Sequence, residues 1–126
     1  MNKLRDQIRT IFDAAPFAVC VFDSSGTVIY INPLLERNME PEALPFTGKS
    51  LYEIVHKVLV DERLEKSLKN LIETDKPFSI IVETLSSRFV KATGFINIIG
   101  YKLGAAYIII GDFLSGGLTR DSRYRQ

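Results

Sequence analysis

The chain offers little that could do chemistry. It holds one His, His56, and one Cys, Cys20, and the two stand in different segments. There is no Gly-x-Ser-x-Gly elbow, no phosphate-cradling glycine loop and no paired spacing of metal ligands. Asp23 lies in a polar interruption between two apolar runs and Asp112 near the end of another, so turn and strand-end roles explain both. Cys20 sits inside an apolar run, where a free thiol behaves as a small hydrophobe. His56 falls on a short helical segment, where a lone imidazole is usually structural. The expectation is a non-catalytic domain without a metal or a resident cofactor.

The elements that position these residues begin with a hairpin. Phe17–Phe22 and Thr27–Ile31 are rich in Val, Ile, Phe and Tyr, residue types that suit a pleated, half-buried surface. Asp23-Ser24-Ser25-Gly26 separates them: Gly26 can take positive φ, and Asp23 can bond its own backbone. Asn32 then reads as an N-cap and Pro33 as the first residue of a short helix.

The string Pro16, Val19, Val21, Asp23, Gly26, Val28, Ile29, Tyr30, Ile31, Asn32 and Pro33 resembles the first hairpin of a PAS domain. Phe46–His56, FTGKSLYEIVH, is similar to the family's segment before its central helices. Asp112 stands where the family often ends its last strand. The resemblance runs over roughly residues 2 to 113. It implies a sensory fold in which a ligand or partner shifts the arrangement of two copies. It also raises two cofactor alternatives. Haem would need His56 as an axial ligand. Flavin of the light-oxygen-voltage subgroup would need an N-C-R-F-L-Q motif, which the chain lacks.

Composition narrows the class. At 126 residues and 46% hydrophobic content, one domain with its own core is expected. The net charge of +1 gives no general attraction to nucleic acid. A single Cys allows no internal disulfide and suits a reducing compartment. No apolar run approaches the roughly 20 residues of a membrane helix, and the charged N-terminus does not read as a secretory signal. A cytoplasmic location is the expectation.

Residues 2–15 read as a helix with Leu4, Ile8, Ile11, Phe12 and Ala15 on one stripe, ended by Pro16. That stripe packs on its own domain or on a second copy; both are open. Pro41 and Pro45 mark a loop. Helices are expected over Leu51–Leu59 and over Glu62–Thr74, the latter capped by Asp61 with Leu64, Leu68, Leu71 and Ile72 inward. Glu62–Lys66 and Glu65–Lys69 are favourable pairs on its wet side. Strands are expected over Phe78–Leu85, Phe89–Ile99 and Ala105–Phe113, with turns at Ser86-Ser87 and Gly100–Gly104. The fold class is α+β: a five-stranded antiparallel sheet, short helices on one face and an amphipathic N-terminal helix. The domain spans residues 1–115. Residues 116–126 read as a flexible tail or a linker to an output domain.

Strand alternation sorts residues onto two faces. By analogy with the family, the pocket side carries Ala18, Cys20, Phe22, Val90, Ala92, Gly94, Ile96, Ile98, Ala106, Ile108 and Ile110. Almost nothing there is polar, so the space is either a filled core or a small apolar pocket. Phe89, Phe95, Tyr107 and Ile109 fall on the opposite face, with Ile81 as an addition, and need cover. With Leu4, Ile8, Ile11 and Phe12 they form the expected homodimer interface. The functional expectation is a sensory and dimerisation domain of a bacterial-type histidine kinase or transcription regulator, with a small apolar ligand or, alternatively, none.

Overall fold

The computed structural model describes residues 2–40, 45–58, 61–83 and 94–113, apart from the side chains of residues 2, 4, 5 and 56–58. Chain order gives α1 (Asn2–Phe12), β1 (Ala18–Phe22), β2 (Val28–Ile31), α2 (Pro33–Arg37), α3 (Leu51–Val58), α4 (Glu62–Thr74), β3 (Phe78–Glu83), β4 (Phe95–Leu103) and β5 (Ala106–Phe113). The strands form one antiparallel sheet in the order β2-β1-β5-β4-β3. The first hairpin and the C-terminal strands thus join through the β1–β5 pair, as expected for this α+β class. α2, α3 and α4 contribute to the core on one face, and α1 packs on the other.

Local chemistry accounts for the hairpin. Asp23 Oδ1 accepts from the Ser25 amide at 2.9 Å, the Ser25 hydroxyl at 2.6 Å and the Thr27 amide at 3.0 Å. These bonds, the Ser25 hydroxyl first, hold the Asp23 carboxyl below its usual range. Gly26 has φ +88°, and a Cβ there would lie 2.9 Å from the Tyr52 ring, so only glycine fits both the turn and the approach of α3. Asp61 caps α4 through the Arg63 and Leu64 amides, and Leu64, Leu68 and Leu71 are buried as their spacing requires. The Glu65–Lys69 pair forms at 3.8 Å.

Four expectations change. The N-terminal helix ends at Phe12 rather than residue 15, because the Phe12 carbonyl is taken by the Asn32 side chain and the Ala15 amide, and Pro16 blocks further helix. Within it Ile8 and Phe12 are buried, but Ile11 is 66% exposed; the stripe that meets the sheet is narrower than the apolar spacing. The strand expected over Phe89–Ile99 is β4, Phe95–Leu103. Gly100 lies inside it under the Phe78 ring, and the turn shrinks to Gly104-Ala105. Phe89, Val90, Ala92 and the turn at Ser86-Ser87 lie outside the described residues.

The fourth change concerns the faces of β5. Cys20 pairs with Ile109 and Phe22 with Tyr107, and directly paired residues share a face. Tyr107, Ile109, Gly111 and Phe113 therefore face the helices with Ile96 and Ile98. Ala106, Ile108 and Ile110 face α1 with Ile8, Phe12, Val19, Val21 and Tyr30. The pocket assignment of Ala106, Ile108 and Ile110 is thus corrected, as is the outward assignment of Tyr107 and Ile109. Tyr107 is 5% exposed and stacks on Phe22 with ring centroids 5.6 Å apart, so it is core and not interface.

Candidate functional site

Between the sheet and the short helices lies a cavity of about 90 Å³. Its floor is Ala18 and Cys20 of β1, Ile96 and Ile98 of β4, and Ile109, Gly111 and Phe113 of β5. Its roof is Leu35 and Met39 at α2, Phe46, and Leu51, Ile54 and Val55 of α3. The room comes from small floor residues: a Cβ on Gly111 would already sit 3.3 Å from Ile96 and 3.7 Å from Ala18. Ala18, Cys20, Ile96 and Ile98 are therefore where the alternation places them, while Phe22 belongs to the same core, stacked on Tyr107.

The lining is apolar throughout. Burial pushes the Cys20 thiol up to about 12, so it stays protonated at neutral pH and is a poor nucleophile and metal ligand. Ordinary small-molecule sites measure roughly 300–1,000 Å³, and the cavities that admit benzene or xenon about 150 Å³. Haem is too large for the described cavity. A flavin ring system would also leave its carbonyls and ring nitrogens unpaired against this lining. Neither group fits the described residues. Among them no cluster of three or more His, Cys, Asp or Glu could hold a metal. His56 lies on α3, with its side chain outside the described residues.

The opposite face is only partly covered. α1 lays Ile8 and Phe12 over β1, β2 and β5. Beyond it, Ile81 of β3 and Phe95 and Ile99 of β4 are 50%, 47% and 37% exposed. Their registers, Ile81 opposite Asn97 and Ser79 opposite Ile99, place them on one face as diagonal neighbours. Ile11 adds a fourth large apolar side chain turned away from its own core. Of the interface candidates, Ile11 and Phe95 are therefore exposed, Ile8 and Phe12 are buried within the chain, and the side chain of Leu4 is not described. Ile99 was missed, although its i+4 spacing from Phe95 on one strand face signals it.

Asn32 is the residue whose role the cap pattern understates. It is fully buried, and its side chain uses all four hydrogen-bonding positions. Oδ1 accepts from the Val19 amide at 2.9 Å and the Leu35 amide at 3.1 Å. Nδ2 donates to the Phe12 carbonyl at 3.1 Å and the Phe17 carbonyl at 2.9 Å. It joins the end of α1, the start of β1 and the first turn of α2. Close by, the Tyr30 hydroxyl donates to Asp13 at 2.5 Å, and burial together with that carboxylate raises the Tyr30 pKa. A polar cleft of about 270 Å³, lined in part by Arg9, Asp13, Glu36 and Thr47, lies beside this joint.

A third polar group pins the far end of α4. Asp75, in the left-handed conformation at φ +60°, ends that helix. Its carboxylate accepts from the Tyr107 hydroxyl at 2.9 Å and from Lys102 at 3.1 Å. Tyr107 first, then Lys102, lowers the Asp75 pKa, and the carboxylate in turn raises that of Tyr107. The arrangement is a clasp between helix and hairpin.

Comparison with known proteins agrees with this architecture. A family model described as the PAS fold matches residues 12–96. None of the curated proteins matches the chain. Among solved structures, the photoactive yellow protein domain of the sensor histidine kinase Ppr from Rhodospirillum centenum is 18% identical, with a TM-score of 0.61 over 89% of this chain and 99% of that one. The LOV protein of Rhodobacter sphaeroides is 14% identical, with a TM-score of 0.65 over 92% of this chain and 71% of that one. A sensory box sensor histidine kinase from Vibrio cholerae is 13% identical, with a TM-score of 0.57 over 88% of this chain and 91% of that one. At these identities the likeness is one of fold.

Proposed function

We infer that this chain, which belongs to the PAS family, is a sensory domain whose cavity takes a small apolar molecule and whose outer sheet face pairs with a second copy. The observation that carries the reading is the cavity itself: about 90 Å³ with a wholly apolar lining between the sheet and α2 and α3. Such a site selects by size and lack of polarity, since a polar ligand would lose its hydrogen bonds to water without replacement. The domain itself is non-catalytic in this reading. Its output, a histidine kinase or a transcription regulator, belongs to a longer cytoplasmic signalling protein, and two of the similar structures come from sensor histidine kinases.

The exposed Ile81, Phe95 and Ile99 favour a second reading, a homodimerisation module that needs no ligand. Both readings use the same face, because apolar surface of this kind is stabilised by cover. In this reading the partner's α1 brings Ile11 against the exposed Ile81 and Ile99. A ligand then acts only if it binds one pairing more tightly than another.

Native mass spectrometry of freshly purified protein separates the two. A dimer that carries added mass supports the sensor, and the mass bounds the ligand. A dimer of bare chains that also fails to take up small apolar compounds supports the module. A bare monomer at micromolar concentration overturns the pairing.

A further inference from the structure

We propose that Asn32 is the positioning residue that carries cavity occupancy to the N-terminal helix; the proposal rests on the cavity being a ligand site. α2 is the movable roof. It has five residues and buries none of them fully, so little packing fixes its position. Leu35 projects from it into the cavity lining. The amide of that same residue is held by Asn32 Oδ1 at 3.1 Å.

The other end of the Asn32 side chain holds α1. Nδ2 donates to the carbonyl of Phe12, the last residue of that helix, at 3.1 Å. The amide plane is rigid and fully buried, and all four of its hydrogen-bonding positions are used. It cannot turn to follow Leu35 without moving Phe12, and a broken bond would leave a buried polar group unpaired. An occupant that lifts Leu35 therefore moves the end of α1. α1 carries the exposed Ile11, so the displacement reaches the surface assigned above to pairing.

Two other ties reach α1 and must be separated from this one. Ile8 and Phe12 pack on Val19 and Val21, which neighbour the cavity residue Cys20 along β1. Tyr30 holds Asp13 through its hydroxyl. The first tie is side-chain packing that can slide; the second leaves from β2 and does not pass through α2.

Xenon is a suitable probe, because it is a single atom smaller than benzene and apolar cavities take it up without hydrogen bonds. The measurement is the backbone amide NMR spectrum of the full chain under xenon pressure. In the wild type, amides at Leu35, Ile98 and Gly111 shift, and so do those of Arg9–Asp13. Leu35→Ala enlarges the cavity and still binds xenon, but the α1 response falls by more than half. Asn32→Asp keeps the acceptor for Val19 and Leu35 and loses the paired donors to Phe12 and Phe17, so α2 responds and α1 does not. Tyr30→Phe retains the wild-type response.

A wild type in which the cavity amides shift and α1 is silent overturns the link. So does a Leu35→Ala protein whose α1 responds as the wild type does, and this variant decides the matter if Asn32→Asp does not fold. Cavity amides that ignore xenon overturn the ligand reading itself, and the link falls with it.

Discussion

The two faces of the sheet are built from the same kinds of residue and end in opposite states. On the helix side, Phe22, Leu68 and Leu71 have no exposure, and the remaining space is a small apolar cavity. On the other side, α1 covers the β1–β2–β5 half, and the β3–β4 half stays open at Ile81, Phe95 and Ile99. Composition does not cause the difference. Among the described residues the helix side receives three helices, whereas the outer side receives one helix of 11 residues, about 16 Å long at 1.5 Å per residue. One helix of that length cannot cover a five-stranded sheet, whose width is about 19 Å at 4.7–4.9 Å per strand spacing. The contrast teaches that the closed face carries the stability around a small cavity, while the open face keeps large apolar side chains against solvent.

The sharpest way to break this contrast is to damage the closed face. Phe22→Ala removes a fully buried ring stacked on Tyr107 and is expected to cost about 3–5 kcal/mol, read from urea unfolding. Gly100→Ala is next: its Cβ would stand 2.3 Å from the Phe78 ring, and overpacking of this kind costs about 1–3 kcal/mol. A Gly100→Ala protein with unchanged stability would show that the β3–β4 edge is looser than the β1–β5 centre.

On the open face the expected pattern reverses. Ile99→Glu should turn a dimer into a monomer in size-exclusion chromatography with light scattering, and, compared at concentrations where both proteins are monomeric, should cost much less unfolding free energy than Phe22→Ala. Ile11→Glu is the matching change on α1. Ile8→Glu and Phe12→Glu do not test pairing, since both side chains are buried in their own chain and a charge there would detach the helix.

The smallest effect belongs to the clasp at Asp75. Its carboxyl is lowered in the folded state by Tyr107 and Lys102, so its contribution is present above the unfolded carboxylate pKa and is lost as pH falls through the lower folded value. Tyr107 is raised by the same carboxylate, so its contribution is present below the unfolded phenol pKa and is lost as pH rises through the folded one. Asp75→Asn should flatten both arms of the stability–pH curve, measured by thermal unfolding across pH. Unchanged arms would show that solvent screens this exposed pair completely.

Much of the scaffold was legible because its signals are local. The Asp23–Gly26 turn, the Asn32 cap with Pro33 behind it and the Leu64–Leu68–Leu71 stripe each arise within a few residues, and the structure forms each of them. The PAS resemblance rested on such local features in order. Four of the seven floor residues of the cavity were legible too: Ala18, Cys20, Ile96 and Ile98 lie where alternation puts them. The rest was not, for one physical reason. β5 reads Ala-Tyr-Ile-Ile-Ile-Gly-Asp-Phe, and both of its faces are covered, so a period of two carries almost no contrast.

The sequence by itself determined the elements, their caps and turns, the family and the apolar character of the interior, because each depends on neighbours along the chain. Only the tertiary structure decided that Ile109, Gly111 and Phe113 rather than Ala106, Ile108 and Ile110 face the cavity, that Tyr107 is core, and that Asn32 binds three segments at once. Those facts depend on the register of β1 against β5 and on the meeting of residues 12, 17, 19 and 35 at one side chain. Register and convergence of this kind are set when distant segments pack together, and the local pattern of residues does not encode them.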